Sequence, residues 1–490
     1  MKKYAKYKEK DESKPNLSQR VAQAGIPPAQ IAAILAVFAI CAAVFLRNYS
    51  NAPFEFAGQA LVCFLILCVI VAQGSRYITG RKLSNVEVYV LSGIILTYFA
   101  WAYFAARITL YEGFLPKSIL LPSALFVMLI SILIDMRLAM TMALSIPLGA
   151  LATRCLDLYG CIVAISSSVA GAMVIRGARR RMDLVMAGIT VACVNVIATF
   201  AVLLVEKAPS PVWLPILFWA LLNGAVSGAL VLGILPLFER ALHMATTFKL
   251  IELLDTEAPL LRRMESVAPG TYSHSMEVAK LAECACRDIG ANALLARVGA
   301  YYHDIGKIDK PEYFVENQSI YNKHNELNPR LSATVIRSHV KLGMEKARAI
   351  GLPDEVAEFI GTHHGDSLIA WFYSEALKRE GEGNVNQEDF CYPGHPPHSR
   401  EAAVMMLADV VEAACRTLDK PTAARLEKFT GDLIDKKIES RQLVNSELTF
   451  HEIEVIKKAF LRVLVAHYHA RIEYPDQNMP AKAQNEPNGK

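Results

Sequence analysis

One short segment of the chain combines an imidazole and a carboxylate at the end of an apolar run. His303 and Asp304 directly follow residues 293–302. The apolar composition of that stretch predicts a helix that leads into the pair. Pro311 marks the point beyond which this helix cannot continue. A carboxylate has two oxygens, so Asp304 is able to bridge two metal ions while His303 binds one of them. Taken alone, however, a His-Asp pair is more typical of a capped helix end with one hydrogen-bonded histidine.

Further metal-capable side chains follow in the second half of the chain, each in or at the end of a predicted helix. Imidazole and carboxylate ligands together suit Fe, Mn, Zn or Ni better than Ca or Mg. We expect His274 to start one helix, His339 to lie inside another and Asp409 to lie within a third. Seven side chains are more than one ion needs, whereas two ions bridged by one carboxylate would use them all. The candidate ligands are His274, His303, Asp304, His339, His363, His364 and Asp409.

Two basic residues near these ligands are candidates for binding phosphate. Lys307 directly follows His303-Asp304-Ile305-Gly306, so it could hold a phosphate or protonate a leaving oxygen. A solvated lysine at a helix end is an equally good interpretation. Arg416 follows Asp409 by about two turns of the same predicted helix and is a second candidate. The polar loops around His324, His395 and His398 predict that these three histidines lie at the surface.

The composition divides the chain into an apolar half and an ordinary polar half. Its 490 residues are 53% hydrophobic and 20% charged, and the mean hydropathy of +0.28 is high for a soluble enzyme. The net charge of +4 gives no indication of nucleic-acid binding, so we expect no nucleic acid polymer as a partner. The ten cysteines form no CxxC pair, and we expect no disulfide framework.

Eight apolar runs in the first half predict a protein that crosses a lipid bilayer several times. Such a series, separated by short polar hairpins, cannot form a soluble core. Lys and Arg concentrate in the tail and in the loops on one side, which predicts that the N-terminus and the second half are cytosolic. Few ionisable residues lie within the runs, which argues against a transporter. The predicted spans are 31–46, 57–73, 88–106, 118–134, 138–153, 158–175, 184–205 and 212–238.

The second half carries helical periodicity almost throughout, which predicts an all-α fold class for the whole chain. We expect a polytopic helical membrane domain followed by a cytosolic all-helical domain. The predicted organisation is a disordered tail (1–30), a first span (31–46), a seven-span domain (57–238), a connecting helix interrupted at Pro259 (239–270), a helical domain (271–474) and a second disordered tail (475–490). The helices predicted in the last domain are 274–289, 291–304, 331–350, 353–364, 366–380, 399–417, 421–440 and 449–471.

The order of the candidate ligands resembles that of the HD superfamily of metal-dependent phosphohydrolases. The flanking segments 269–275, 297–307, 313–318, 406–414 and 448–450 are similar to those of the membrane-bound, seven-transmembrane HD-domain phosphodiesterases. That family is associated with hydrolysis of cyclic di-AMP. The resemblance therefore implies a cytosolic HD domain on a multi-pass anchor in the cytoplasmic membrane, with a cyclic dinucleotide as substrate and the lipid bilayer as a partner. A homodimer is compatible with the sequence.

The resemblance also implies how the candidate ligands divide between two divalent ions, with Mn or Fe expected. His274, His303, Asp304 and Asp409 resemble the ligands of the first ion. The ligands of the second ion correspond to Asp304, His339, His363 and His364. A hydroxide activated by both ions would open one ring bond of cyclic di-AMP to give pApA. Asp304 and Lys307 are the expected catalytic residues, and Lys307 and Arg416 the expected substrate contacts.

Two departures from the family pattern and three alternative functions accompany this interpretation. The interval 47–56 leaves no room for the large extracytoplasmic sensor domain that family members usually carry between the first span and the rest. Cys391 stands where the family tends to have a basic residue. Hydrolysis of cyclic di-GMP is less expected, because Gly365 and Asp366 follow the His pair in place of that subfamily's signature. Alarmone hydrolysis and a non-catalytic signalling role remain as alternatives.

Overall fold

The protein consists of helices and turns in every part of the chain that the structure describes. This computed structural model describes residues 83–105, 117–318, 321–419 and 421–469. Within these ranges there is no β-strand, and a single isolated bridge pairs Leu368 with Cys391. The predicted all-α fold class is therefore confirmed.

The chain divides into two compact units, Met1–Leu242 and His243–Lys490, which are described separately below. The predicted spans 31–46 and 57–73, the interval between them and both predicted tails lie outside the described residues. Their boundaries stay predictions.

The first unit contains six described α-helices and two short 3-10 helices, Lys117–Leu120 and Ser210–Val212. Four helical segments are long and apolar enough to cross a bilayer, namely α1, α4, α5 and the segment Ser210–Leu242 that contains α6. The helices are α1 (Asn85–Ala105), α2 (Ser123–Leu133), α3 (Met136–Ala152), α4 (Leu158–Ile175), α5 (Arg181–Val205) and α6 (Trp213–Leu242).

Helix α2 is shorter than the predicted span 118–134, because the chain breaks at Pro122 after the first 3-10 helix. Its 11 residues rise only about 16 Å, roughly half of a bilayer core. Val127 and Ile130 are fully enclosed, as expected of a helix that is apolar on all sides. Helix α2 therefore lies in the interior of this unit.

Helices α5 and α6 pack backbone to backbone through small residues. A Cβ on Gly228 would lie 2.5 Å from the Cα of Gly188, and one on Gly224 would lie 2.2 Å from the amide nitrogen of Ala192. No side chain larger than hydrogen fits at these crossings, so the small-residue run 223–228 is what permits the approach.

The second unit contains ten described α-helices. Its main apolar core is formed mostly by α9, α10, α14 and α16, and a smaller cluster lies around Phe390. Leu281, Phe359, Met405 and Phe460 are buried in the main core. The helices are α7 (Thr247–Leu253), α8 (Pro259–Val267), α9 (Pro269–Asp288), α10 (Ala293–Tyr302), α11 (Pro329–Ile350), α12 (Asp354–Thr362), α13 (Ala370–Glu380), α14 (Arg400–Cys415), α15 (Ala423–Glu439) and α16 (Phe450–His469).

The predicted start of α9 needs correction, whereas the predicted interruption of the connecting helix at Pro259 agrees with the structure. Helix α9 begins at Pro269, so His274 lies one turn inside it rather than at its start. The reason is a cap from a distant residue, Asn317, whose Oδ1 accepts hydrogen bonds from the first backbone amides. The connecting segment forms two helices, and Pro259 is the first residue of the second, where its missing N–H costs nothing.

Candidate metal centre

Asp304 lies at the centre of the candidate site, and its two oxygens face two different sets of histidines. Oδ1 is 3.5 Å from Nε2 of His339 and 3.6 Å from Nε2 of His363. Oδ2 is 3.2 Å from Nε2 of His303 and 3.8 Å from Nε2 of His274. This division is the arrangement that a bridging carboxylate requires.

Asp409 and His364 complete the cluster. Asp409 Oδ1 lies 3.0 Å from Nε2 of His274, and Oδ2 lies 3.7 Å from Nδ1 of His364. Ligand atoms of His339, His363 and His364 lie within 4.8 Å of one another, as do those of His274, His303 and Asp304. The fold therefore brings together all seven residues predicted as ligands. Their assignment to individual ions stays a prediction.

The ring orientation of three histidines is fixed by main-chain carbonyls. Nδ1 of His303 lies 2.8 Å from the carbonyl oxygen three residues earlier, and the same contact measures 2.6 Å at His339 and 2.9 Å at His363. A carbonyl oxygen only accepts, so each Nδ1 carries the proton and each Nε2 presents a lone pair. All three lone pairs point into the cluster, as in histidines that bind metals.

The cluster contains buried polar atoms that hydrogen bonding within the protein does not satisfy. His303 Nε2 and Asp304 Oδ1 are buried without a hydrogen-bond partner among the described residues. Nε2 of His339 and Nε2 of His363 face each other at 3.1 Å, although neither carries a proton to donate. The donor set therefore fits a divalent metal ion.

Burial and neighbouring charges set the protonation of the ligands. Burial opposes a positive charge on His339 and lowers its pKa to about 3. It also opposes the charge of His274, but hydrogen bonds to Asp409 and Glu412 outweigh burial and raise the pKa of His274 to about 10. His339 is thus held neutral, ready to donate its lone pair, while His274 is held by two carboxylates.

Lys307 is tied to the cluster rather than solvated. Its Nζ lies 2.7 Å from Asp304 Oδ2 and 2.8 Å from Glu316 Oε1. Burial opposes both charges of the Lys307–Asp304 pair, but their mutual attraction prevails, so the pKa of Lys307 is raised and that of Asp304 is lowered. A lysine held in this way is a fixed positive charge beside the bridging carboxylate. The interpretation of Lys307 as a solvated residue is therefore wrong.

Two glycines allow the backbone to place these ligands. A Cβ on Gly306 would lie 1.8 Å from the carbonyl oxygen of His339, so the loop after Asp304 packs directly on α11. Gly365 has a φ of +56°, which glycine adopts without strain as the chain turns sharply after His364. The close contact with α11 thus explains why the fourth residue of His-Asp-Ile-Gly, Gly306, is a glycine.

A second segment of the chain fixes the start of α9 against the cluster. Asn317 Oδ1 accepts from the backbone amides of Gly270 and Thr271, at 2.9 and 3.2 Å. The hydroxyl of Thr271 donates to Glu316, the same carboxylate that binds Lys307. The motifs 269–275 and 313–318, which are distant in sequence, therefore form one contact that positions His274.

The cluster lies at the wall of a cleft of about 1100 Å³. The cleft is also lined by Lys307 and Arg416, the two predicted phosphate contacts. Arg416 Nε donates to Glu412 at 2.6 Å, so part of its guanidinium is already engaged. A cleft of this size accommodates a ligand larger than a mononucleotide.

One prediction about the rim of the cleft, that His324 lies at the surface, is corrected. His324 is half-buried and lines the cleft, with its Nε2 2.8 Å from the carbonyl oxygen of Tyr313, whereas His395 and His398 are exposed as predicted. Cys391 is not among the residues that line the cleft, although its neighbour Tyr392 is. The Tyr392 ring lies against His364 with a centroid distance of 4.1 Å.

Sequence reasoning missed three residues of this site. Glu412 contacts His274, Glu316 contacts Lys307, and Tyr392 covers His364. Glu412 could have been found from its position three residues after Asp409, which places both on one helix face. Glu316 lies in a short 3-10 helix, Val315–Asn317, and Tyr392 lies in a loop, so only the fold shows what they contact.

Two family models match successive parts of the chain. The model described as "7TM receptor with intracellular HD hydrolase" matches residues 53–246, and the model described as "HD domain" matches residues 271–414. The second match includes every candidate metal ligand.

Two curated relatives match both halves of the chain. The cyclic-di-AMP phosphodiesterase PgpH of Bacillus subtilis is 38% identical over 319 residues, which cover 64% of this chain and 45% of the relative. PgpH of Listeria monocytogenes is 35% identical over 362 residues, covering 73% of this chain and 50% of the relative. The chain spans about half the length of these curated relatives.

The crystal structure of the L. monocytogenes PgpH HD domain in complex with cyclic-di-AMP is 39% identical in sequence. The match covers all of that domain and 44% of this chain, with a TM-score of 0.42 over the comparison. The chain has apolar helices long enough to cross a bilayer, a matched membrane segment and a matched HD domain after it. These features describe a multi-pass membrane protein that carries an HD domain. Over residues 53–246 and 271–414 the chain is similar to the family of seven-transmembrane proteins that carry an intracellular HD hydrolase domain.

Proposed function

We propose that this protein is a membrane-bound phosphodiesterase that hydrolyses cyclic di-AMP to pApA. The observation that carries the proposal is the position of Asp304, whose two oxygens face separate groups of histidines at the wall of a cleft. Two relatives named as cyclic-di-AMP phosphodiesterases and a related HD domain with cyclic-di-AMP bound support the choice of substrate.

We propose that the cluster holds two divalent ions, Mn or Fe. His274, His303, Asp304 and Asp409 would hold one ion. His339, His363 and His364 would hold the other, which shares Asp304. Such ions, when bound, lower the pKa of water and neutralise charge on phosphoryl oxygens. The mixed imidazole and carboxylate donors favour these metals over Ca or Mg.

Hydrolysis of one ring bond adds water across a phosphodiester. The water oxygen forms a new bond to phosphorus, the bond between phosphorus and the 3′ oxygen breaks, and that oxygen gains a proton. Lys307 lies next to Asp304 on the cleft wall, where its fixed charge would orient Asp304 and attract a phosphate. We favour this role over that of a proton donor, because its raised pKa makes it a weak acid.

Helix α13 offers a surface for the bases. Trp371, Glu375 and Arg379 are spaced four residues apart, so they lie along one helix face, and all three line the cleft. Trp371 is 74% exposed, an unusual position for so large an apolar side chain. We propose that a purine stacks on Trp371 and that Arg379 and Arg416 contact the phosphates that are not being cleaved.

We also propose that the N-terminus and the HD domain face the cytosol. Arg137 and the group Arg176, Arg179, Arg180 and Arg181 lie at helix ends on the side predicted to be cytosolic. Positive residues are retained on that side during insertion. Fluorescence of a green fluorescent protein fused to the C-terminus would agree with this orientation, whereas activity of alkaline phosphatase fused there would contradict it.

The substrate assignment is tested on the full chain in detergent, loaded with Mn²⁺. Cyclic di-AMP, cyclic di-GMP and a single-stranded RNA are supplied separately, and products are separated by chromatography. Asp304→Ala removes the bridging carboxylate, and Asp432→Ala, at an exposed position of α15, is the matched control. We expect the native chain and the control to convert cyclic di-AMP to pApA and the Asp304 variant to be inactive.

The remaining outcomes separate the alternatives. Faster cleavage of the guanine dinucleotide or of RNA would retain the metal centre and overturn the substrate. Turnover by the Asp304 variant would overturn the centre itself. Metal binding without turnover of any substrate would indicate a non-catalytic signalling protein.

A further inference from the structure

His274 differs from the other histidines of the cluster in what holds its second ring nitrogen. Its Nδ1 lies 2.5 Å from Oε2 of Glu412. In His303, His339 and His363 the corresponding nitrogen donates to a main-chain carbonyl. His274 and Glu412 are 5% and 6% exposed, so this contact is shielded from water. One candidate ligand is therefore oriented by a carboxylate and three by the backbone.

Helix α14 holds His274 at both nitrogens. Asp409 faces Nε2 at 3.0 Å, and Glu412, one turn later on the same helix, faces Nδ1 at 2.5 Å. The second oxygen of Glu412 accepts a hydrogen bond of 2.6 Å from Nε of Arg416, which lies one further turn along. Asp409 and Glu412 thus face the His274 ring from α14, and Arg416, the residue directly after this helix, contacts Glu412.

We propose that Glu412 is a positioning residue that sets the metal affinity of the His274 side of the centre, and that Arg416 holds Glu412 in place. A carboxylate that accepts the Nδ1 proton fixes the tautomer and makes Nε2 a stronger donor than a carbonyl does. The ion on this side is therefore bound differently from the ion held by His339, His363 and His364. The inference rests on the metal centre proposed above and adds a residue that is not itself a ligand.

The test is metal binding rather than activity. The full chain in detergent is stripped with a chelator, and Mn²⁺ binding is followed by titration calorimetry and by electron paramagnetic resonance, which detects coupling between neighbouring ions. Glu412→Gln keeps an oxygen near Nδ1 but removes the charge, and Glu427→Gln, at an exposed position of α15, is the matched control.

We expect two sites in the native chain and in the control. In Glu412→Gln the affinity of one site should fall by roughly ten- to a hundredfold, while the other site is unchanged. Arg416→Met, which leaves both ring contacts of His274 in place, should weaken the same site by a smaller factor. Thermal unfolding of the metal-free variants verifies that they fold. If the Glu412 variant fails to fold, the Arg416 variant still tests the proposal.

The outcomes distinguish this inference from the proposed function. Two unchanged sites in both variants would overturn the positioning role while leaving the metal centre intact. Equal weakening of both sites would also overturn it, because that result indicates a general structural role. A native chain that binds no Mn²⁺ would overturn the metal centre and the positioning role together.

Discussion

Replacing Gly306 by alanine tests the geometry of the candidate centre most directly. An added Cβ would lie 1.8 Å from the carbonyl oxygen of His339 and 2.7 Å from the amide nitrogen of Gly343. Both atoms belong to the backbone of α11, which has no rotamer to change. The loop that carries His303 and Asp304 must therefore move away from α11.

The size of this movement follows from the contact distance. Relief to 3.0 Å, the shortest separation that Cβ atoms show, requires a shift of about 1.2 Å between the loop and α11. Overpacking of this kind costs about 2 kcal/mol, which lowers the Tm of a unit this large by roughly 4–8 °C. A displacement near 1 Å at reacting groups reduces turnover by about a hundredfold. We expect the separation of Asp304 from His339 to weaken Mn²⁺ binding as well.

Thermal unfolding, Mn²⁺ titration and cyclic di-AMP hydrolysis are measured on the full chain. Gly431→Ala is the matched control, because Gly431 lies within α15 and a Cβ there meets nothing within 4 Å. This control should be as stable as the native chain or gain roughly 0.5–1 kcal/mol. If Gly306→Ala matched Gly431→Ala in all three measurements, the close packing of the loop on α11 would be refuted.

Two further predictions concern the metal and the bases. Chelation of the bound ions should lower the Tm of the hydrolase unit by roughly 5–10 °C, since ligand at a hundred times its Kd contributes about 2.7 kcal/mol. Calorimetry with and without chelator measures this shift, and an unchanged Tm would mean that the cluster binds no ion. Trp371→Ala should raise KM for cyclic di-AMP by roughly five- to a hundredfold at nearly constant kcat, because stacking contributes about 1–3 kcal/mol per base. Steady-state kinetics of Trp371→Ala are compared with those of Val444→Ala, an exposed control outside the cleft. A fall in kcat alone would contradict stacking.

Periodicity predicted the helices of the HD domain well because their apolar faces are long and regular. Helix α11 occupies 329–350 where 331–350 was predicted, and α14 occupies 400–415 where 399–417 was predicted. The start of α9 was missed because its cap, Asn317, lies 47 residues away from Gly270. A capping residue this distant leaves no signal in a local pattern.

In the apolar half, the sequence pattern predicted the structure less well. Runs of apolar residues indicate burial in lipid or protein but do not state which. The run 118–134 predicted one continuous helix, whereas the structure has a 3-10 helix, Pro122 and an 11-residue helix there. That this segment spans the bilayer stays a prediction.

The sequence by itself determined which side chains are candidate metal ligands, because imidazoles and carboxylates in a fixed order are few enough to single out. All seven meet around Asp304, as their order indicated. Only the tertiary structure decided what surrounds them. Glu412 behind His274, Glu316 behind Lys307 and Tyr392 against His364 are contacts between distant segments. Such contacts depend on how helices pack, and packing is a property of the whole fold rather than of any single stretch of residues.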